Sequence, residues 1–100
     1  MDASFPSEVP KLKAEQMHRG DMDGPNGTHC LAGWRAKSFG WFNDRTEAWV
    51  VAFGKLVGWP VSTAGWNDSH TLEECADAWN RTALALGYID AGDKFVKPTA

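Results

Sequence analysis

The sequence predicts an all-α protein, a compact single domain of about four helices. Two stretches set apolar residues at helical spacing behind a capping signal and ahead of a glycine. No segment alternates apolar and polar residues with the period of two that marks a half-buried strand. One hundred residues suit a single core, since a chain of this size buries roughly 65% of the surface its unfolded form exposes. Six tryptophans, at 34, 41, 49, 59, 66 and 79, supply much of that core, each burying ~150–250 Å².

The first helix is expected over 7–19. Ser7 is its N-cap, Pro10 falls in the first turn where a missing N–H does little harm, and Lys11, Glu15 and Arg19 form an i,i+4 ladder on the solvent side. Its apolar stripe is thin: Val9, Leu12 and Met17. Gly20 to Gly27 is a loop by composition. Its Asp21-x-Asp23 opening resembles a calcium loop, but Asn26 stands where glycine is needed and Ala32 where the bidentate glutamate is needed.

Thr28 is read as the cap of a second helix over 29–39, ended by Gly40. Gly33 inside it costs ~1 kcal/mol against alanine, an expense that close approach of another backbone would offset. A third helix is expected over 45–57, with Asp44 and Glu47 as a capping box and Gly58 and Pro60 as its stop. Trp49, Phe53, Leu56 and Val57 share one face. The fourth, over 72–86, has Thr71 and Glu74 as its capping box. Leu72, Cys75, Ala76, Trp79, Ala83 and Leu86 form its inner face, and Asp77 and Arg81 pair outside. Gly87 closes it, Tyr88 and Ile89 fold back over it, and 90–100 is a polar tail in which Phe95 and Val96 could dock.

An aromatic-Asn-Asp step occurs twice, as Phe42-Asn43-Asp44 and Trp66-Asn67-Asp68, each ahead of a helical pattern. In the first copy Asp44 acts as cap. In the second, Thr71 takes that role and leaves Asn67, Asp68 and His70 unexplained. These three, with Trp66, His29 and Cys30, form the candidate binding set. Asx turns and buried loop hydrogen bonds would also account for the polar ones. Asp68 and His70 could act as an acid–base pair on a nucleophile such as Cys30. His29 and Cys30 cannot pair with each other, because neighbours on a helix point about 100° apart. A zinc site from His29, Cys30, His70 and Cys75 lacks the paired spacing such sites use. No catalytic set is complete, and neither metal nor cofactor is expected.

The net charge of −3 speaks against nucleic acid, which asks for a basic stripe. Charge is uneven: residues 28–65 carry four Lys/Arg against two Asp/Glu, while both ends are acidic. Binding to DNA would need Arg35, Lys37, Arg45 and Lys55 on one face. The start of the chain, Met1-Asp2-Ala3-Ser4, lacks the basic and apolar regions of a signal peptide, and no apolar run approaches the ~20 residues of a membrane span. A cytoplasmic protein with reduced Cys30 and Cys75 is expected. Tryptophan in surplus, acidic ends and the incomplete catalytic set point to a non-enzymatic module that binds another protein, the oligomeric state being undetermined. A small enzyme or ligand binder using Cys30, His29 and the Asn67–His70 loop is the alternative.

His29-Cys30-Leu31-Ala32-Gly33-Trp34, followed some thirty residues later by Trp66-Asn67-Asp68, Thr71 and a terminal amphipathic helix, resembles a family of small helical proteins of actinobacteria and phages. The resemblance spans about Gly27 to Leu86; the stretch from Trp41 to Gly65 and the Asn43-Asp44 step depart from it. That family has no established activity. The resemblance implies a helical fold and a bacterial or phage setting, not a reaction; the protein-binding module is then expected as an accessory protein of a phage or mobile element, such as an inhibitor of a host defence system.

Overall fold

Residues 1–98 are described by a computed structural model; Thr99 and Ala100, the end of the expected tail, lie outside the described residues. The chain forms β1 (Glu8–Pro10), 3₁₀ turns at Ala14–Gln16 and Pro25–Gly27, α1 (Leu31–Phe39), α2 (Asp44–Val57), α3 (Thr63–Asp68), α4 (Leu72–Ala85), β2 (Ile89–Asp90) and β3 (Lys94–Val96). The fold is mostly helical, but it is not purely α. A small antiparallel sheet in the order β1-β3-β2 joins the two ends of the chain.

The expected helix over 7–19 is replaced by β1 and a single 3₁₀ turn. Prolines at 6 and 10 remove two donors and bias the residues before them toward extended backbone. An extended chain also leaves its carbonyls free, and the core uses them. Tyr88 Oη donates to Pro6 O at 2.8 Å, Trp79 Nε1 to Pro10 O at 2.8 Å and Trp34 Nε1 to Gln16 O at 3.0 Å. Leu12 bonds the Asn80 amide twice, N–H to Oδ1 at 2.8 Å and C=O from Nδ2 at 2.9 Å. A helix over 7–19 would consume the Pro10 and Leu12 carbonyls internally. The apolar residues of the expected stripe, Val9, Leu12 and Met17, are buried all the same.

The tail contains β2 and β3 rather than a loose end. Val9 pairs with Phe95 and Ile89 with Val96, and the Phe95 ring is fully buried. Strands of two and three residues are too short to print a periodicity, so the sequence shows no strand here. Lys94 reaches Glu8 at 2.8 Å and Lys11 reaches Asp90 at 2.8 Å; both pairs are exposed and contribute little.

The helices differ from expectation mainly at their starts. Thr28 belongs to the preceding 3₁₀ turn, its hydroxyl donating to Pro25 O, so α1 begins at Leu31 with Cys30 in the cap position and no side-chain cap of its own. Asn43, not Asp44, caps α2: its Oδ1 accepts from Thr46 N at 3.0 Å and its Nδ2 donates to Phe39 O at 2.8 Å. Asp44 then sits in the first turn, where its charge suits the helix dipole. The six-residue α3, capped by Ser62, is unexpected, being too short for an apolar stripe. It makes Trp66-Asn67-Asp68 the end of a helix instead of the approach to one. At α4 the capping box is as read: Glu74 N–H to Thr71 Oγ1 at 3.1 Å and Thr71 N–H to Glu74 Oε1 at 2.9 Å.

Aromatic rings join these elements into one core. Trp49 stacks on Phe53 with centroids 4.9 Å apart and meets Trp79 at 5.8 Å, which fixes α2 on α4. Phe39 bridges from α1 to Trp79 and Tyr88. Gly33 allows the close approach expected of it, for a Cβ there would lie 2.5 Å from Met22 O.

Because Phe95 carries the burial of β3, Phe95→Ala should cost about 3–5 kcal/mol. Urea unfolding measures it; a loss below about 1 kcal/mol would show that Phe95 does not hold β3 on the core.

Candidate functional site

The candidate residues of the second aromatic-Asn-Asp step gather around one loop, Met17–Cys30. Asn67, fully buried on α3, accepts the Leu31 N–H on Oδ1 at 3.0 Å and donates from Nδ2 to His18 O at 2.9 Å. The first contact supplies α1 with the side-chain cap it lacks, from 36 residues away. Its backbone carbonyl accepts the Cys75 thiol at 3.3 Å. Asp68 accepts the Gly20 N–H at 3.0 Å, and Arg19 donates to His70 O at 3.2 Å. Three successive loop residues, His18, Arg19 and Gly20, are thus held by Asn67, His70 and Asp68.

His29 and Cys30 hold the same loop from its other end. His29 Nδ1 lies 2.7 Å from Asp23 Oδ1, and its ring meets Trp34 edge-on at 4.7 Å. Its backbone exchanges hydrogen bonds with Gln16 and His18, while Cys30 N–H donates to Met22 O. The expected groups therefore converge in space, but on the loop and not around an open cleft.

Their chemistry is correspondingly occupied. Cys30 is 2% exposed, so it is not placed to attack a substrate. His70 stacks on Trp66 at 3.8 Å and gives its Nδ1–H to Trp66 O at 2.7 Å. Asp68 and His70 share no hydrogen bond among the described residues. Gly20 N–H, with help from the Asn67 amide, holds the Asp68 carboxyl below its usual value. Burial pushes the Cys75 thiol up to about 11. Among the described residues no group of three His, Cys, Asp or Glu is placed to hold a metal ion.

Two of the four basic residues of the middle are engaged within the fold. Arg35 is half-buried, bonded to Thr63 Oγ1 at 3.0 Å with its guanidinium over the Trp49 ring, and Arg45 Nε points at Phe39 O. Burial lowers the Arg35 pKa, and its Nε has no hydrogen-bond partner among the described residues. Among the described residues no helix is long and apolar enough to cross a membrane.

The exposed chemistry lies elsewhere, on residues that sequence spacing did not single out. Trp41 is 56% exposed, Phe42 98%, Trp59 62% and Val61 108%, with Val50 and Val51 on the outer face of α2 between them. Two local facts in the sequence explain this. Phe42 precedes the Asn43 cap, where a hydrophobic staple would pack it on the fourth helical residue, but that residue is Glu47. Trp59 stands between Gly58 and Pro60, outside any helical stripe. It adopts φ +57°, a left-handed conformation that costs a bulky residue about 1–3 kcal/mol. Its ring lies over Gly54, where a Cβ would come within 2.5 Å of it.

Comparison with family models, with curated proteins and with solved structures matches none of them to this chain.

Asn67→Ala strands the Leu31 N–H and the His18 carbonyl, so it should lower the unfolding free energy by about 2–4 kcal/mol and speed hydrogen exchange at Leu31. Asp68 provides a pH test. Its folded pKa lies below 3.8, so its contribution is complete above that value and disappears as pH falls through the lowered one. Asp68→Asn should therefore be less stable than wild type at neutral pH, with the gap closing under acid; a gap independent of pH would contradict the Gly20 contact. Ellman's reagent should leave both buried thiols unlabelled until the chain is unfolded.

Proposed function

We propose that the chain is a non-enzymatic protein-binding module whose contact surface is the apolar stripe along α2, from Trp41 and Phe42 through Val50 and Val51 to Trp59 and Val61. The observation that carries this reading is the exposure of Trp41, Phe42 and Trp59 in a chain that buries Trp34, Trp49 and Trp79. Tryptophan and phenylalanine on a surface gain most when a partner removes them from water, and such residues dominate interface energetics. The left-handed backbone at Trp59, held by its N–H to Gly54 O at 2.9 Å and by the seat of the ring on Gly54, keeps that ring at the surface.

The candidate chemistry of the alternative reading lies in the loop clamp, where Cys30 and Asn67 are inaccessible; it lends an enzyme no support. The narrower setting, an accessory protein of a phage or mobile element that inhibits a host defence system, rests on the resemblance of the His29–Trp34 and Trp66–Thr71 segments.

The test is capture from bacterial lysate with wild type and with the double variant Phe42→Ser, Trp59→Ser. Each truncation of an exposed aromatic should cost about 2 kcal/mol, or ~30-fold in affinity, with the circular dichroism spectrum unchanged. Capture that survives both substitutions would overturn the assignment of this surface.

A further inference from the structure

Resting on the reading of the α2 stripe as a protein contact, we propose that its occupant is a second copy of this chain, with the two α2 helices packed antiparallel about a two-fold axis at Val51. The pattern of side chains around Val51 is self-complementary. Glu47 and Lys55 stand one turn before and one turn after it on the same exposed face. Among the described residues neither has an ion-pair partner. In an antiparallel pair, positions equidistant from the axis meet, so each Glu47 faces the partner's Lys55, and the contact occurs twice. A parallel pair would set Glu47 against Glu47.

Shape and length agree with charge. Ala48 and Ala52 border Val51 with only a methyl group each, leaving a groove of about 310 Å³ that Lys55, Leu56 and Ala85 complete. Small residues at the crossing let two helices approach to the ~8–10 Å of ordinary helix packing. Trp41 and Phe42 stand ten and nine residues before Val51, and Pro60 and Val61 nine and ten after it. That count ends with the helix at Val57, but an antiparallel pair still brings the partner's Trp41 and Phe42, just ahead of its α2, to the end of α2 where Trp59 folds back over Gly54. One contact works against it: Asp44, seven residues before Val51 and so on the same face, falls beside the carbonyl end of the partner's α2, and the two Glu47–Lys55 contacts have to outweigh it.

The area is sufficient. Trp41, Phe42 and Trp59 have ~150–250 Å² apiece to bury, and with Val50, Val51 and Val61 they approach the ~800 Å² per partner of a standard interface. An isologous contact of this kind closes on itself, so the product is a dimer and not a filament. Any other protein then meets the stripe in competition with a second copy.

Sedimentation equilibrium over a concentration series tests this. Wild type should approach twice the chain mass of 11.0 kDa. Glu47→Lys alone and Lys55→Glu alone should each weaken the dimer at least tenfold by bringing like charges together. The double variant E47K/K55E should recover it, with circular dichroism confirming that all four proteins are folded. A wild type that stays monomeric at its highest soluble concentration overturns the proposal, as does a dimer indifferent to both single reversals. The monomer outcome leaves the protein-binding reading standing if lysate capture still depends on Phe42 and Trp59. A dimer that follows the charge swap sustains the proposal even where lysate capture does not.

Discussion

The side chain of Asn67 is the constraint on which the rest of the structure depends. A carboxamide presents one acceptor and one two-proton donor in a plane, the same groups that a backbone peptide offers. Here the acceptor caps α1 and the donor holds His18, so one residue of α3 fixes both the start of a helix and the return of a loop. Both partners belong to backbone, and no sequence change elsewhere can remove their need. Leaving a buried backbone group unsatisfied costs about 1–3 kcal/mol. Two such groups are a large fraction of the ~5–15 kcal/mol that holds a domain of this size together. Asp68, one residue on, makes a similar contact at the surface, where water can replace it; the difference between the neighbours is burial, not chemistry.

The same device recurs at Asn80, whose amide bonds both backbone groups of Leu12. With the Trp34, Trp79 and Tyr88 donors it lets an extended N-terminal segment lie over a helical core without losing its hydrogen bonds. Those three rings would each have had a buried polar atom to satisfy, and the extended carbonyls supply the acceptors. The absence of a first helix and the burial of so many large aromatic residues are therefore two sides of one arrangement. β3 completes it by covering Val9 with Phe95 from the far end of the chain.

What the sequence disclosed follows from how far apart the cooperating residues lie. α2 and α4 were legible because their signals are local: a cap, an i,i+4 face and a glycine stop occur within one segment. The Thr71–Glu74 box was correct for that reason. Residues 7–19 misled because a weak apolar stripe with a serine and an i,i+4 charge ladder fits a helix until Pro6 and Pro10 are weighed against partners 69 and 82 positions away. Asn67 stood out as unexplained, correctly in the sense that α4 does not need it, but its partners at 18 and 31 are invisible to spacing. The candidate residues Asn67, Asp68, His70, His29, Cys30 and Trp66 lie about the Met17–Cys30 loop, a meeting place that no spacing in the sequence announces. The tryptophan surplus was legible as a total, while its division between core and surface was not.

That division has a physical basis in α2 itself. Its inner face, with Trp49 and Phe53, is filled by α4 and α3, and any further ring must go to the ends or the outside. At the N-terminal end Asn43 spends its side chain on the cap, and Glu47 offers Phe42 nothing apolar to pack on. At the C-terminal end Gly58 reverses the chain, and Gly54 gives Trp59 a flat seat that keeps its other face open. Replacing Glu47 by leucine would create the staple that Phe42 lacks, and a polar residue at 59 would uncover Gly54 at the end of α2 and leave Trp49 and Trp79 in place. The outer stripe is therefore separable from the fold: its apolar residues can be changed without touching Asn67, the aromatic core or the sheet, which is the condition for a surface shaped by what it contacts and not by the need to fold.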